Sequence, residues 1–179
     1  MKPHEFNSPR SVRAPRPGVE SVRVIVIGTG FSGLCMGVKL REAGEDDFVM
    51  LERADDVGGT WRDNTYPGCA CDVPSHLYSF SFEANPTWSR MYAPQPEIHA
   101  YLRQTAEKYD LLQHVRFHAN VVSARFDEAR QLWCVQAEDG RQFEAPVLVS
   151  GMGGLSNPMI PHIPGLDQFE GATFHSATW

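Results

Sequence analysis

Three glycines near the amino terminus have the spacing of a turn that binds phosphate. Gly28, Gly30 and Gly33 form the pattern GxGxxG. In such a turn the first glycine permits a tight bend, the second lets a pyrophosphate approach the backbone, and the third lets the next helix pack closely on the preceding strand. The first N–H groups of that helix, at the positive end of its dipole, attract anions. The pattern therefore predicts a dinucleotide site.

An acidic residue stands where a dinucleotide site needs one. Glu52 follows Gly33 by nineteen residues, at the end of a predicted strand, where its carboxylate can accept hydrogen bonds from ribose hydroxyls. Because a carboxylate there opposes a 2′-phosphate, the site disfavours NADP, whereas FAD and NAD both remain compatible with it. The alternative is a glycine turn that only joins a strand to a helix, with Glu52 in solvent.

The segments around this turn predict a βαβ unit. Residues 22–27 and 48–51 are short apolar runs, which indicate buried strands. Residues 30–43 have apolar side chains on one helical face and are followed by Gly44, a plausible helix stop. The two strands of such a unit run parallel.

The later sequence predicts a larger sheet with an insertion. Six segments have the periodicity of regular elements: a helix at 96–109, a parallel strand at 115–117, antiparallel strands at 121–126, 132–137 and 141–145, and a buried strand at 147–150. Asp139 and Gly140 mark the second turn of the antiparallel meander. Residues 53–96 are irregular but rich in aromatics, which favours packing over disorder. The predicted fold is α/β, a Rossmann-like parallel sheet with an antiparallel β-meander insertion.

Composition excludes several classes of partner. The 179 residues are 42% hydrophobic and 21% charged, as in soluble globular proteins. The formal net charge of −6 argues against binding to nucleic acid or to an anionic membrane. No apolar run approaches the roughly 20 residues that a helix needs to cross a bilayer.

The amino-terminal tail and the cysteines indicate a cytoplasmic protein. Residues 1–20 are rich in Arg and Pro, have no apolar core typical of a secretory signal, and are expected to form a disordered tail. Cys35, Cys69, Cys71 and Cys134 are therefore expected to be free thiols in a reducing compartment. Their spacing is not that of zinc ligands, and no metal site is predicted.

Three motifs, in the family order, resemble those of the flavin-containing and Baeyer–Villiger monooxygenases. Residues 59–72, GTWRDNTYPGCACD, fit the Baeyer–Villiger pattern GxWxxxxYPGxxxD at every fixed position, whereas the flavin-containing enzymes that oxidise nitrogen differ there. Residues 74–80, PSHLYSF, are also typical of the group. Residues 169–179, FEGATFHSATW, match the type I Baeyer–Villiger fingerprint FxGxxxHxxxW. The resemblance covers about residues 22–179.

The resemblance implies an FAD site. The implied cofactor-binding residues are Gly28, Gly30, Phe31, Ser32, Gly33, Glu52, Gly59, Thr60, Trp61, Asp72, Tyr78 and Val121. In this family the glycine turn holds the FAD pyrophosphate, the counterpart of Glu52 holds the adenosine ribose, and that of Val121 lies near the adenine. Asp72 is the candidate catalytic residue, beside the flavin and near an arginine. A turn or cap role for Asp72 and a core role for Trp61 are the alternatives.

The resemblance also implies a reaction that needs more than these residues. In relatives NADPH reduces FAD, O₂ adds to the flavin, and the C4a-peroxyflavin converts a ketone into an ester or lactone. We expect an incomplete FAD-binding domain at 21–154, and a linker at 155–179, with His175 and Trp179, towards an NADPH domain. The isolated chain is then a catalytically incomplete fragment. The alternative is a free-standing FAD- or nucleotide-binding module without turnover.

Overall fold

Two four-stranded sheets organise the chain in the computed structural model, which describes residues 16–155 and 157–179. The main elements are β1 (Val19–Ser21), β2 (Val24–Ile27), α1 (Phe31–Glu42), β3 (Phe48–Leu51), α2 (Thr60–Asp63), α3 (Gln95–Lys108), β4 (Val115–Arg116), β5 (Val121–Asp127), β6 (Leu132–Ala137), β7 (Gln142–Ala145) and β8 (Val147–Ser150). Single turns of 3-10 helix lie at Leu112–His114, Leu166–Gln168 and Ser176–Thr178.

The parallel sheet has the strand order β4-β3-β2-β8. Every residue of β2 and β3 is buried, as continuous apolar runs predict for the central strands of a parallel sheet. Leu34 and Val38 of α1 are fully buried in the same core cluster as Val26 and Met50. The predicted βαβ unit and its parallel strands are confirmed.

The antiparallel meander forms the second sheet, in the order β1-β7-β6-β5. Val135 and Phe143 of the meander are buried with Ile25 and Val49 of the parallel sheet, so the meander covers one face of that sheet. Helices α1 and α3 cover the other face, because their buried residues share a cluster with the alternate residues of β2 and β3. Gly140, at φ +90°, occupies the turn that Asp139 and Gly140 predict.

Strand β8 differs from the buried strand that its apolar sequence predicts. It lies at the edge of the parallel sheet, where it pairs with β2, and Val147 is 44% exposed. An apolar run specifies a strand but does not supply a layer to cover it, and Leu148 and Val149 are only half-buried against the two core clusters. The prediction of burial is therefore wrong for this strand.

The ordered structure begins earlier than the expected boundary near Ser21. Residues 1–15 of the expected disordered tail lie outside the described residues. Strand β1, however, pairs in parallel with β7, with Val19 opposite Gln142. The Arg16 guanidinium also pairs with the buried carboxylate of Glu144. The expectation of disorder is therefore wrong for residues 16–20, because backbone pairing and an ion pair hold them to the meander.

The irregular segment at 53–96 packs against α3 through its aromatic residues. Before α3 begins at Gln95, it contains the short helix α2, which no periodicity predicted, and an isolated bridge between Ala70 and Pro94. The Tyr101 hydroxyl accepts a hydrogen bond from the Phe80 N–H at 2.9 Å and donates to the Glu83 carbonyl at 2.7 Å. The longest helix among the described residues is α3, with 14 residues, and none there is long and apolar enough to cross a membrane.

Candidate cofactor-binding site

The glycine turn between β2 and α1 requires glycine for steric reasons. Gly28 has φ +90°, a left-handed conformation that side chains disfavour. A Cβ on Gly33 would lie 1.9 Å from the Gly28 carbonyl oxygen. The helix therefore approaches the turn so closely that only glycine fits at position 33. Helix α1 begins at Phe31, and no side chain among the described residues caps it at Gly30. Its first N–H groups are thus available to an anion.

A second pair of glycines faces this turn from the start of α2. Gly58 has φ +120° and Gly59 has φ +53°. The Gly58 N–H donates to the Thr29 carbonyl at 2.9 Å, which ties the two segments together. A Cβ on Gly59 would lie 3.2 Å from the Gly30 Cα. The backbones of Gly30 and Gly59 therefore face each other, and a side chain on either residue would narrow the space beside them.

These two glycine segments are walls of a cleft of about 340 Å³, within the usual range for small-molecule sites. The cleft lies at the carboxyl ends of β2 and β3, where parallel sheets bind their ligands. Ten of the twelve residues predicted to bind the cofactor line it: Gly28, Gly30, Phe31, Ser32, Glu52, Gly59, Thr60, Trp61, Tyr78 and Val121. The sequence analysis did not single out Thr29, Arg62 and Asn120, which also line it.

The structure places the other two predicted residues outside the lining. Gly33 lies beneath the turn, close to the backbone of Gly28 and of Gly151. Asp72 is exposed on the irregular segment. Burial raises the pKa of the Tyr78 phenol, a hydrogen bond from the Trp61 indole opposes the rise, and the charge of Asp72 adds to it.

Glu52 is buried at the end of β3, with only 3% of its surface exposed. Its Oε2 accepts from the Thr29 N–H at 3.1 Å and from the Thr29 hydroxyl at 2.5 Å. Its Oε1 accepts from the Ala54 N–H at 3.0 Å and from Arg62 Nη1 at 2.8 Å. The carboxylate that was predicted to meet a ribose is thus held by four donors of the protein.

Arg62 connects three parts of the cleft wall. Beside its bond to Glu52, Nη1 donates to the Asp56 carbonyl at 2.7 Å, and Nη2 lies 2.8 Å from Asp63 Oδ1. Its side chain is only 11% exposed. No spacing rule points to an arginine ten residues beyond the strand-end acid, so only the folded structure reveals this contact.

Trp61 and Tyr78 form the aromatic end of the cleft. The Trp61 indole donates to the Tyr78 hydroxyl at 3.0 Å, and the Phe31 ring centroid lies 4.9 Å from that of Tyr78. Trp61 is 8% exposed and belongs to the core cluster, so it is a core residue and also lines the cleft. A phenol that accepts a hydrogen bond keeps its own proton to donate.

The remaining predicted features lie away from the cleft. His175 Nδ1 accepts from the Ala177 N–H at 3.1 Å, a local role in a turn. Trp179 is 58% exposed and packs edge-on against Phe174. Cys69 and Cys71 are buried, unpaired thiols. Within the described residues, no group of three metal-ligating side chains is arranged to hold an ion.

Comparison with known proteins relates this geometry to a family. Residues 26–94 match the family described as NAD(P)-binding Rossmann-like domain. A Baeyer–Villiger monooxygenase of Pseudomonas aeruginosa is 53% identical over 157 residues, which are 88% of this chain and 30% of that protein. Another, of Streptomyces coelicolor, is 54% identical over 160 residues, 89% of this chain and 31% of that protein.

Solved structures give the same relationship. The closed structure of a cyclohexanone monooxygenase superposes with a TM-score of 0.81 at 40% identity, over 90% of this chain and 31% of that one. A steroid monooxygenase bound to NADP superposes with a TM-score of 0.78 at 42% identity, over 89% of this chain and 31% of that one. The chain spans less than a third of the length of these relatives.

Proposed function

We propose that this chain, which is homologous to the amino-terminal portion of Baeyer–Villiger monooxygenases, binds FAD in the glycine-walled cleft as part of a flavin-dependent monooxygenase. The observation that carries the proposal is that Gly30 and Gly59 both line the cleft with bare backbone, where a Cβ on Gly59 would lie 3.2 Å from the Gly30 Cα and one on Gly30 would lie 3.8 Å from the Gly59 Cα. A diphosphate needs such bare backbone, with uncapped helical N–H groups beside it.

Contacts within the chain orient the cofactor in this proposal. The Ala119 N–H donates to the Glu52 carbonyl at 2.7 Å, which puts Ala119 and the neighbouring Val121 on the same side of the cleft as Glu52. The adenosine half belongs at this end. Trp61 and Tyr78 line the other, aromatic end, which suits the flavin half.

Each predicted residue then has a defined task. Gly28, Gly30 and the N–H groups of Phe31 and Ser32 bind the pyrophosphate, with Gly33 packed beneath them. Gly59 and Thr60 line the path towards the flavin, and Trp61 and Tyr78 hold its surroundings. Asp72, which is exposed beside Tyr78, stays the candidate for a catalytic role near the flavin. The bound FAD would supply the electron transfer and oxygen chemistry, and these residues orient it and exclude water.

The oxygenation of a ketone to an ester or lactone is proposed for a longer protein that includes an NADPH-binding domain. Related structures hold the nicotinamide cofactor NADP⁺, the ketone cyclohexanone or the lactone ε-caprolactone. We assign residues 21–154 to an incomplete FAD-binding domain and 155–179 to a linker. The four unpaired cysteines support a reducing, cytoplasmic location, and the net charge of −6 supports a small-molecule rather than a nucleic-acid partner.

Equilibrium dialysis of the full chain against FAD, NAD and NADP tests the proposed cofactor. FAD should bind most tightly, and Gly30→Val should abolish its binding because the new methyl groups occupy the gap facing Gly59. Gly154→Val is the control, since a Cβ there meets no atom within 4 Å. Tighter binding of NADP than of FAD would contradict the assignment.

A second experiment tests the expected incompleteness. The purified chain with FAD, NADPH, O₂ and a panel of cyclic and aryl ketones should give no ester or lactone, because positioning of the nicotinamide against the flavin accounts for roughly 7–11 kcal/mol of such a barrier. Sustained NADPH-dependent product would show that the chain is catalytically complete.

A further inference from the structure

The buried carboxylate of Glu52 affects a ligand in the cleft mainly through its charge. An ionised carboxylate offers about four acceptor positions. Thr29, Ala54 and Arg62 supply four donors to Glu52, at 2.5 to 3.1 Å. A ribose hydroxyl that reaches Glu52 must share or displace one of these donors. The negative charge remains whatever the hydrogen bonds are, and it lies in the wall of a cleft proposed to bind a diphosphate.

Arg62 compensates that charge. The two side chains are 11% and 4% exposed, and Nη1 lies 2.8 Å from Oε1. A pair so shielded from solvent is screened little by salt, and removal of one partner leaves an uncompensated buried charge. Bonds to the Asp56 carbonyl and to the Asp63 carboxylate hold the guanidinium in this position, and Arg53, at 2.8 Å from Asp63 Oδ2, compensates the charge of Asp63.

We propose that Arg62 is a specificity-determining residue of the cleft: it cancels the charge of Glu52 so that an anionic diphosphate ligand can lie beside a buried carboxylate. The inference rests on the proposed function, since it concerns the same site. It changes the interpretation of Glu52, because a neutralised Glu52–Arg62 pair does not repel an anionic ligand as a lone carboxylate does. Without Arg62, the repulsion grows with the charge of the ligand.

A positioning role alone would give a different signature. If Arg62 only held the loop at Asp56 and the helix at Asp63, its removal would weaken every ligand of the adenosine end equally. If it cancels charge, neutral adenosine should be affected little and ADP strongly, and a second substitution that removes the charge of Glu52 should restore ADP binding. Replacement of both members of a buried ion pair is often nearly neutral, whereas loss of one member is not.

The test uses the full chain, with FAD binding followed by flavin fluorescence and adenosine and ADP measured as competitors. The variants are Arg62→Met, Glu52→Gln/Arg62→Met and the conservative Arg62→Lys, with thermal unfolding to verify the fold. Arg103→Met is the matched control, because Arg103 is a cation that pairs with Asp56 at 3.3 Å but is 54% exposed. Its screened charge should change ADP affinity by less than about twofold.

We expect Arg62→Met to weaken ADP by about tenfold or more, the size of a Coulomb interaction between unit charges roughly 12 Å apart at an effective dielectric constant near 20, and adenosine much less. Arg62→Lys should keep most of the ADP affinity of the wild type, and the double variant should regain most of the affinity that Arg62→Met loses. If Arg62→Met unfolds, recovery of both fold and ADP affinity in the double variant still supports the inference. Equal losses for adenosine and ADP, or no recovery in the double variant, would overturn it. A wild-type chain that binds neither FAD nor ADP would instead overturn the proposed function itself.

Discussion

The βαβ unit at residues 24–51 and the carboxyl-terminal segment at residues 151–155 and 157–179 contain similar apolar side chains in opposite environments. In the unit, Ile25, Leu34 and Val49 are fully buried. In the segment, Leu155 is 75% exposed and Met159 is 83% exposed. The unit has a partner on each face: α1 covers one face of its strands, and the meander covers the other, where Ile25 and Val49 lie. Apolar character thus shows that a residue gains from a partner, but not that a partner is present in the described structure.

The comparison predicts its largest effect at a glycine of the unit. Gly33→Val would put a Cβ 1.9 Å from the Gly28 carbonyl oxygen, and the backbone has to move to accommodate it. We expect a loss of more than about 4 kcal/mol in the free energy of unfolding, measured by urea denaturation. Gly154→Val, in the exposed segment, should stay within about 0.5 kcal/mol of the wild type. Similar midpoints for both variants would remove the contrast between the two regions.

A leucine in each region gives a smaller and chemically matched contrast. Leu34→Ala removes a fully buried side chain from the face of α1 that packs on the sheet, and should cost about 2–5 kcal/mol. Leu155→Ala removes an exposed one and should cost less than about 0.5 kcal/mol. Urea denaturation of the two variants measures both values. A cost above 1 kcal/mol for Leu155→Ala would mean that the segment packs on the domain in solution.

An ion pair between Lys108 of α3 and Glu83 of the irregular segment gives a pH-dependent contrast. A hydrogen bond from Lys108 at 2.8 Å lowers the pKa of Glu83 below its usual 4.5, so the pair stabilises the fold above that pH. This stability is lost as the pH falls through the lowered pKa of Glu83. Urea midpoints at about pH 6 and about pH 3 should therefore fall less in Lys108→Met than in the wild type, because the variant has already lost the pair. An equal fall in both proteins would show that the pair does not contribute.

The smallest effect on stability is expected at the exposed apolar residues themselves. Met159→Ser should leave the unfolding midpoint unchanged while it raises solubility and lowers the fluorescence of a dye that binds apolar surface. Met50→Ser, in the fully buried strand β3, is the opposite case and should unfold the domain. A destabilised Met159→Ser variant would place this segment among the packed regions.

The sequence predicted those parts of the fold whose signal is local. The glycine turn, β2, α1 and β3 follow from short apolar runs, one helical periodicity and steric needs of glycine. The four residues of α2 are too few to show a period, and β1 depends on pairing with the distant β7. The exposure of β8 depends on what covers it rather than on its own residues.

The candidate site likewise contains residues that the sequence predicts and a contact that it does not. Ten of its predicted residues line one cleft. The glycine turn and Glu52 follow from the pattern of strands and helix, whereas Gly59, Thr60, Trp61, Tyr78 and Val121 were predicted only through the resemblance to a family. The contact between Glu52 and Arg62 was not predicted, since it arises where an irregular segment folds back over the strand end. The roles of the predicted residues stay predictions until binding is measured.

The position of Gly151 has a consequence for biosynthesis. Gly151 directly follows β8, its N–H donates to the Ile27 carbonyl at 2.8 Å, and a Cβ on it would lie 3.1 Å from the Gly33 nitrogen. The glycine turn is made early on the ribosome, but this last contact forms only after the whole meander has been translated. Until then one edge of β2 lacks its partner strand and is open to wrong pairing. We therefore expect completion of the cleft to be a late event of cotranslational folding, because it needs a contact between distant parts of the chain.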